Sequence, residues 1–209
     1  VPEERRKDML QTIHRQASLL INMVNELLDL ARIEARQGKD LKRESCRIDS
    51  LVTQAVGPLV GHSANHEFVL DIKHGERVLW VDPEKTHRAL TNVLSNAVKY
   101  SPEGGAIRVS TQMGRLRGEP AVGLKISDRG IGMTEPQLAR VFERFYRADP
   151  SGNIPGTGLG MSLVKEITEL QDGQVQIDSE AGEGTTVTLW LPLLGDLVAA
   201  PVSALSRPG

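Results

Sequence analysis

The sequence predicts an α+β protein: a two-layer α/β sandwich, with a mixed sheet covered by helices, preceded by a long coiled-coil-like helix. Three observations predict this class. A heptad of apolar residues runs through the first 37 residues, apolar segments of strand length come in hairpin-like pairs, and helices with one apolar face separate those pairs. A chain of 209 residues suffices for one well-packed domain with an appendage.

Residues 3–37 are predicted to form the long helix, because their apolar positions advance alternately by three and four, as in a coiled-coil seam. The seam consists of Leu10, Ile13, Ala17, Leu20, Val24, Leu27 and Ala31. Further apolar residues widen it, and no second long helix follows in the sequence. We therefore expect an upstream helix and a second protomer as its partners. The alternative is a helix folded back on its own globular domain.

The remaining elements follow from local signals and periodicity, with a helix over 1–38, a polar linker over 39–47, a globular domain over 48–195 and a flexible tail over 196–209. Within the globular domain, Gly57-Pro58 should kink the first helix. The predicted helices span 48–65, 82–100, 134–146 and 161–171. The predicted strands span 68–73, 77–81, 107–113, 121–127, 174–179 and 185–191.

Composition restricts the class of protein. The formal net charge of −2 gives no basis for a nucleic-acid surface. No apolar run approaches the roughly 18 residues that span a bilayer. The single cysteine, Cys46, cannot form an internal disulfide or supply a cysteine cluster for a metal. A reducing cytoplasm is therefore the expected compartment, with any membrane attachment of the parent protein provided by segments upstream.

The helix that begins at Asp82 carries two stripes of side chains. One stripe is apolar and should face the core, whereas the other contains Asn92, Asn96 and Lys99. Asparagine is a mediocre residue inside a helix, so this stripe is either a solvated polar face or a functional one. An amide oxygen is a suitable ligand for Mg²⁺, and a lysine beside it would place a cation near phosphate oxygens.

Two glycine-rich segments lie at the ends of predicted elements. Asp128-Arg129-Gly130-Ile131-Gly132 follows a strand, where a carboxylate can accept a hydrogen bond from an amino group and glycines let a flat ligand approach. Gly156-Thr157-Gly158-Leu159-Gly160 opens a helix, where backbone N–H groups and the helix dipole favour an anion. The first pattern alone is an ordinary turn, and the second matches neither a dinucleotide-binding motif nor a P-loop.

Aromatic and basic residues lie between the two glycine segments. Phe142 and Phe145 predict a small hydrophobic plug, and Arg144 and Arg147 are their neighbours. The loop over 148–155 contains three Pro or Gly positions, at 150, 152 and 155. A mobile loop beside arginines predicts a lid over phosphate groups.

In this order, the segments resemble the conserved boxes of sensor histidine kinases. The similar segments are Asn92–Tyr100 (N box), Asp128–Met133 (G1), Phe142–Phe145 (F), Gly156–Gly160 (G2) and Gly182–Thr185 (G3). The resemblance covers residues 48–193. Residues 25–34 are similar to the end of the second dimerisation helix, so 1–38 would be part of the dimerisation and histidine-phosphotransfer domain. Gln171-Asp172-Gly173 departs from the usual His-Gly-Gly.

The resemblance implies a Bergerat-type ATP-binding fold with ATP and Mg²⁺ as ligands. Asp128 would hold the adenine amino group, and Asn96, supported by Asn92, would coordinate the metal. Lys99 and Tyr100 would contact the phosphate or ribose region. The implied nucleotide contacts also include Gly130, Gly132, Gly156, Thr157, Gly158, Leu159, Gly160 and Thr185. The implied catalytic residues are Asn92, Lys99 and Arg144, with Arg144 or Arg147 reaching the γ-phosphate.

The resemblance also implies an activity and its partners. The domain would donate the γ-phosphoryl group of ATP to a histidine, for relay to an aspartate of a response regulator, within a homodimer formed through the N-terminal helix. The sequence contains no His-Glu-Leu-Arg-Thr-Pro-like segment, and His14 aligns with no acceptor motif. We therefore expect the acceptor histidine upstream of Val1.

One substitution bears on the choice among related activities. ATPases of the gyrase, chaperone and mismatch-repair type carry a glutamate one helical turn before the metal asparagine, where this sequence has Asn92. A neutral amide cannot act as a general base, which favours a phosphoryl donor over a hydrolase. The alternatives are a water-splitting ATPase of the same superfamily, a nucleotide-binding pseudokinase scaffold, and a serine kinase that sequesters a transcription factor.

Overall fold

The structure is a computed structural model that describes residues 3–36, 39–61, 65–149, 154 and 156–198. The helices within these residues are α1 Glu3–Arg36, α2 Ile48–Val56, α3 Pro83–Lys99, α4 Glu135–Arg140 and α5 Gly160–Glu169. The strands are β1 Glu44–Arg47, β2 His66–Asp71, β3 Arg77–Val81, β4 Gly105–Leu116, β5 Glu119–Ser127, β6 Gln174–Glu180 and β7 Gly184–Val198.

The strands form one mixed sheet in the order β1-β3-β7-β5-β4-β2, with β6 paired to β7 beside this path. Strand β2 runs parallel to β4, whereas the other pairs are antiparallel. The long strand β7 pairs with β5 and β6 through its first half and with β3 beyond Pro192. The expected hairpin of β2 with β3 is therefore wrong, because these two strands belong to different parts of the sheet.

Helices α2, α3 and α5 cover one face of the sheet, which confirms the predicted two-layer α+β fold. Alternate residues of each strand point toward these helices, as the period of two requires. The buried residues from both layers include Ile48, Leu90, Leu94, Ile107, Val109, Leu124, Ile126, Leu163, Ile167, Leu189 and Leu191. The opposite face of the sheet is polar apart from a few large side chains, among them Trp80 and Trp190.

Helix α3 begins and ends as its sequence predicts. The Asp82 carboxylate caps the helix by accepting a hydrogen bond from the backbone N–H of Lys85 at 3.0 Å, and Pro83 lies in the first turn. At the other end the backbone N–H of Tyr100 donates to the carbonyl of Asn96 at 2.9 Å. These two ends define the helical segment, and Asn92, Asn96 and Lys99 of the polar stripe all lie within it.

Two helices are shorter than predicted. Helix α2 ends at Val56 instead of continuing with a kink to residue 65, because Pro58 has no N–H to donate to the preceding turn. Helix α4 ends at Arg140 instead of Tyr146. The chain turns back shortly afterwards, where Phe145 adopts a left-handed conformation with φ 63°.

Two segments predicted to be irregular contain strand residues. The linker predicted over 39–47 includes β1, whose Cys46 lies opposite Leu79 of β3. The tail predicted over 196–209 begins inside β7, which continues to Val198. Residues 199–209 and the predicted end of the first helix at Gln37-Gly38 lie outside the described residues.

The long helix α1 has two environments along its length. Near its C-terminus, Leu30 and Ile33 are buried in the core of the globular domain. Earlier in the helix, the apolar seam is exposed, including Leu10, Ile13, Leu20, Val24 and Leu27. The last turns of the helix therefore fold back on the domain, while most of the seam is free to pack against another helix. No helix within the described ranges has the length and apolar character needed to cross a membrane.

Candidate functional site

A cavity lies between α3, the start of α5, the loop over 128–134 and the helix-covered face of the sheet. Its floor includes Ile126, Val187 and Ile177, which lie side by side on β5, β7 and β6. Thr185, two residues before Val187 on β7, and Asp128, just beyond the end of β5, also line the cavity. An apolar row next to a polar row suits a flat ring that has hydrogen-bonding groups on one edge.

The carboxylate of Asp128 is held by backbone groups at this polar edge, which we call the strand end of the cavity. Its Oδ1 accepts hydrogen bonds from the N–H groups of Gly130 at 2.9 Å and Thr185 at 3.2 Å. These two bonds orient the carboxylate without using Oδ2, which can accept from a ligand. Burial raises the pKa of the Asp128 carboxyl above its ordinary value, and the two backbone hydrogen bonds oppose that effect.

The glycines of the loop after β5 make room for protein backbone. A methyl group on Gly130 would lie 2.0 Å from the carbonyl oxygen of Tyr100, and one on Gly132 would lie 1.8 Å from that of Glu180. The N–H of Ile131 donates to the same Tyr100 carbonyl at 2.9 Å. Gly132 lines the cavity and Gly130 does not. The expectation that both glycines admit a flat ligand is therefore corrected: they let the loop pass between α3 and the turn that joins β6 and β7.

At the opposite end, which we call the helix end, α3 faces the segment that precedes α5. Asn92, Asn96 and Lys99 line the cavity from α3, and Tyr100 follows them. The residues that face them from the glycine-rich segment are Gly156, Thr157, Gly158 and Gly160. A methyl group on Gly160 would lie 3.9 Å from Cγ of Asn92, so the start of α5 lies next to this asparagine. The unpaired N–H groups of a first helical turn favour an anion there.

The amide of Asn92 has unused hydrogen-bonding capacity. Its Nδ2 is buried and has no hydrogen-bond partner among the described residues. A buried amide donor without an acceptor is costly, so such a group is expected to meet a ligand or water. The exposed ammonium group of Lys99 lies two turns further along α3. This end of the cavity therefore offers donors, a cation and amide oxygens to an anionic ligand.

The aromatic segment differs from its predicted form. Phe145 is 55% exposed, so the hydrophobic plug predicted for this residue is wrong. Its left-handed backbone instead lets its N–H donate to the carbonyl of Gly158 at 2.9 Å. Phe142 is half-buried, with Nζ of Lys165 5.4 Å from its ring centre. Residues 150–153 and 155 of the predicted lid lie outside the described residues.

Three predicted site residues do not line the cavity. Gly130 is packed against the backbone of Tyr100, Leu159 is fully buried in the core, and Arg144 is exposed. Arg147 is half-buried and donates to the carbonyl of Ile154 at 2.5 Å. Burial raises the pKa of the cavity residue Tyr100, and the positive charge of Arg147 opposes that rise. The charge of Arg147 is thus felt at a residue of the cavity, although Arg147 itself does not line it.

Several residues that line the cavity were not predicted from the sequence. The apolar ones follow the same alternation as the core, so no sequence signal separates them from it. They include Ile126, Met133, Val141, Met161, Ile177 and Val187. The polar ones include Ser95 of α3 and Glu26 of α1. The Glu26 carboxylate accepts a hydrogen bond from the hydroxyl of Thr157. These two residues lie 131 positions apart, and local patterns cannot predict their contact.

The part of the chain that forms most of the cavity is similar in sequence to proteins of a known family. Residues 81–195 match the model of the histidine kinase-, DNA gyrase B- and HSP90-like ATPases. The circadian input-output histidine kinase CikA of Synechococcus elongatus is 33% identical over 90% of this chain and 25% of its own length. The sensor histidine kinase WalK of Bacillus subtilis is 31% identical over 88% of this chain and 30% of its own length. The chain thus spans less than a third of these two relatives.

Solved structures agree in fold. The mycobacterial sensor histidine kinase MprB superposes with a TM-score of 0.61 at 26% identity, covering 72% of this chain and 97% of that one. Full-length ShkA in complex with AMPPNP superposes with a TM-score of 0.73, covering 94% of this chain and 40% of that one. Its identity of 23% shows a likeness of fold alone. Because the family model matches more than half of the sequence, the chain belongs to the histidine kinase-, DNA gyrase B- and HSP90-like ATPase family.

Proposed function

We propose that the chain binds ATP with Mg²⁺ and donates the γ-phosphoryl group to a histidine of its parent protein. One observation carries the proposal. A single cavity has the carboxylate of Asp128, held by backbone N–H groups, at one end next to an apolar floor. At its other end are the amides of Asn92 and Asn96, beside the start of α5. The first end suits an adenine ring with its amino group, and the second suits phosphates. Sensor histidine kinases among the relatives support the choice of reaction.

Each end would act on ATP in a different way. Oδ2 of Asp128 would accept a hydrogen bond from the adenine amino group, which excludes a base that presents an oxygen there. At the helix end, the backbone N–H groups of Gly160 and Met161 would bind phosphate oxygens. Nδ2 of Asn92 would donate to another phosphate oxygen, which would satisfy this buried donor. Lys99 would offset negative charge on the phosphates.

The residues at the helix end also fit a magnesium ion. No three His, Cys, Asp or Glu side chains gather in a metal-binding group anywhere in the described part of the chain. Magnesium in nucleotide sites uses few protein ligands, because phosphates and waters supply the others. The amide oxygens of Asn96 and Asn92 would hold it. When bound, Mg²⁺ neutralises charge on the phosphates during transfer.

The chain's own residues would favour transfer to histidine over hydrolysis. In the transfer, the bond between the γ-phosphorus and the β,γ-bridging oxygen breaks, a bond from an imidazole nitrogen to that phosphorus forms, and ADP leaves with the electron pair. Asn92 lies one helical turn before Asn96 and carries no base, so water at this position would not be activated. Catalysis would then rest on orientation of the phosphates and on their charge stabilisation by Lys99 and an arginine, Arg144 or Arg147.

The partners belong to the same proposal. The exposed seam of α1 would pack in a homodimer and against the helix that carries the acceptor histidine, in a segment of the parent protein outside this chain. A response regulator would then receive the phosphoryl group on an aspartate. Because ATP is the donor, the reaction would take place in the cytoplasm, and any membrane attachment would lie elsewhere in the parent protein.

A transfer assay in trans tests this function. The chain is incubated with Mg²⁺, ATP labelled at the γ-phosphate and the separately prepared acceptor helix of the parent protein. We expect label on the acceptor histidine, lost in acid because a phosphorus–nitrogen bond is acid-labile, and no label on the chain alone. Asp128→Asn should prevent labelling, whereas Asp178→Asn, an exposed control, should not. Acid-stable label on a hydroxyl residue, or label on His14 without the acceptor helix, would contradict the proposal.

A further inference from the structure

Helix α1 contributes a negative charge to the helix end of the cavity. Glu26 lines this cavity, and its carboxylate accepts a hydrogen bond from the Thr157 hydroxyl. The same hydroxyl oxygen accepts from the N–H of Leu159 at 3.2 Å. Glu26 is therefore linked through a single hydroxyl group to the residue that precedes the first turn of α5. A carboxylate in this position lies where the helix dipole favours an anion.

A second contact holds the same turn of α1 against α3. Asp29, three residues after Glu26 and hence on the same side of α1, forms an ion pair with Arg88. Arg88 lies one turn before Asn92 on α3. Leu30 and Ile33 complete the docking, because both are buried in the core of the domain. The end of α1 thus lies against both walls of the cavity and presents its acidic residues to them.

We propose that Glu26 competes with the phosphates of ATP, so that docking of α1 and binding of a triphosphate oppose each other. This inference rests on the proposed function. Both the carboxylate and the phosphates carry negative charge and use the region around Thr157 at the start of α5. Their repulsion raises the free energy of the state in which both are present. Because coupling between two binding events is reciprocal, α1 docking weakens ATP binding and ATP weakens α1 docking.

Adenosine separates this charge effect from simple obstruction by the helix. Adenosine uses the strand end of the cavity and has no phosphates, so its affinity should not depend on the charge of Glu26. Glu26→Gln removes the charge and keeps an oxygen that can accept from Thr157. Glu3→Gln makes the same change at an exposed position at the start of α1 and serves as the control. Each variant is measured by calorimetry with ATP, and separately with adenosine, using the full chain.

We expect Glu26→Gln to raise the affinity for ATP about fivefold, the lower end of typical coupling between sites, since the carboxylate is partly solvated. The gain should shrink as salt is added, because ions screen the repulsion. Adenosine affinity should stay the same, and Glu3→Gln should behave as the wild type. Unchanged or weaker ATP binding by Glu26→Gln would overturn the proposal, and so would an equal gain for adenosine.

Hydrogen exchange gives a readout that is independent of affinity. In the wild-type protein, backbone amides around Leu30 and Ile33 should exchange faster in the ATP complex than in the adenosine complex, because ATP weakens docking of this turn. Equal exchange in the two complexes would overturn the proposal. Failure of the proposed function is distinguishable, since the wild-type protein would then bind no ATP at all.

Discussion

The two ends of the cavity are built in different ways. At the strand end, Asp128 follows β5 and Thr185 lies at the start of the paired strand β7, and backbone hydrogen bonds from the loop and from β7 hold the carboxylate. At the helix end, the groups come from three separate helices and the segment before α5, and the amide of Asn92 keeps a buried donor without a partner in the described chain. One end is preorganised, whereas the other can adjust to what binds there.

The glycines reflect the same difference. A methyl group on Gly132 would meet a backbone oxygen at 1.8 Å, and one on Gly184 would meet another at 2.2 Å. At the helix end, Gly158 is also close to backbone, since a methyl group there would lie 2.6 Å from the carbonyl carbon of Phe145, but one on Gly156 would meet no atom within 4 Å among the described residues. In the proposed function, close packing would fix the position of a base at the strand end, while the space around Gly156 would let phosphates move.

The largest expected effect is at the strand end. Asp128→Asn should weaken ATP and adenosine binding by about a hundredfold or more, because the amide places a donor where the adenine amino group needs an acceptor. The buried polar groups left without a partner would cost about 3 kcal/mol of binding free energy. Isothermal calorimetry measures this loss. Asp178→Asn, on an exposed part of β6, should leave both affinities unchanged. Unchanged binding by Asp128→Asn would refute the assignment of the strand end to adenine.

Asp128→Asn should lower nucleotide affinity without lowering the stability of the ligand-free protein. Burial raises the pKa of Asp128 in the folded protein above its unfolded value. The group therefore stabilises the fold below the unfolded pKa, and this contribution is lost as the pH rises through the folded pKa. At pH 7 the ligand-free Asp128→Asn protein should thus have a Tm no lower than that of the wild type. A lower Tm at pH 7 would mean that the charged carboxylate is held more firmly than its burial indicates.

The next effect tests the helix end through turnover. Asn92→Glu places a carboxylate one turn before Asn96, where it can accept a proton from water near the γ-phosphate. General-base catalysis contributes ~10²–10⁴-fold, and we expect the lower end because the glutamate is not oriented by neighbours. Hydrolysis at saturating ATP and ATP affinity are measured together, with Asn92→Gln as the neutral control. Intact binding without a gain in turnover would mean that the cavity excludes water and that the missing base is not decisive.

A third experiment compares the glycines of the two ends. Gly132→Ala should cost about 3 kcal/mol, lowering the Tm by about 6–12 °C, because a methyl group there meets backbone in a left-handed conformation. Gly182→Ala isolates the conformational cost, about 1 kcal/mol, since its φ is also positive but no described atom lies within 4 Å. Gly156→Ala should cost least. Equal losses at 132 and 156 would remove the distinction between a packed and an open end.

The smallest effect concerns the exposed charge at the helix end. Lys99→Ala should weaken ATP binding about threefold, since an exposed cation contributes up to about 1 kcal/mol. Adenosine binding should not change, because it lacks phosphates. Lys73→Ala, in the exposed turn between β2 and β3, controls for loss of net charge. A similar loss of adenosine affinity would show that Lys99 acts on the fold of the cavity and not on the phosphates.

Local signals predicted those parts of the molecule that depend on neighbours in sequence. The cap at Asp82 and the polar stripe of α3 needed only positions within a few residues of one another, and both are present. The partner of β2 could not be predicted in this way, because its pairing with β4 joins residues about 40 positions apart. Beyond the early end of α4, the N–H of Phe145 donates to the carbonyl of Gly158, a contact between separate segments that local patterns do not indicate.

In the cavity, too, local motifs predicted residues but not their distant contacts. Asn92, Asn96 and Asp128 belong to short motifs, and the structure brings all three to one cavity. Gly130 belongs to a motif as well, but it packs against the carbonyl of Tyr100 and does not line the cavity, and the motif gives no sign of that contact. Glu26 belongs to no motif that involves the cavity, because its place there results from how α1 docks. Sequence patterns thus identified the residues of the site better than the contacts that control them.

The distribution of aromatic side chains has a spectroscopic consequence. Both tryptophans, Trp80 and Trp190, lie on the face of the sheet that is turned away from the cavity, and Trp190 packs over Gly114 and Gly123 of the neighbouring strands. Both tyrosines, Tyr100 and Tyr146, line the cavity. Tryptophan emission should therefore follow unfolding of the sheet and respond little to a bound nucleotide, whereas tyrosine absorbance should report occupancy, so one unlabelled sample gives two separate optical signals.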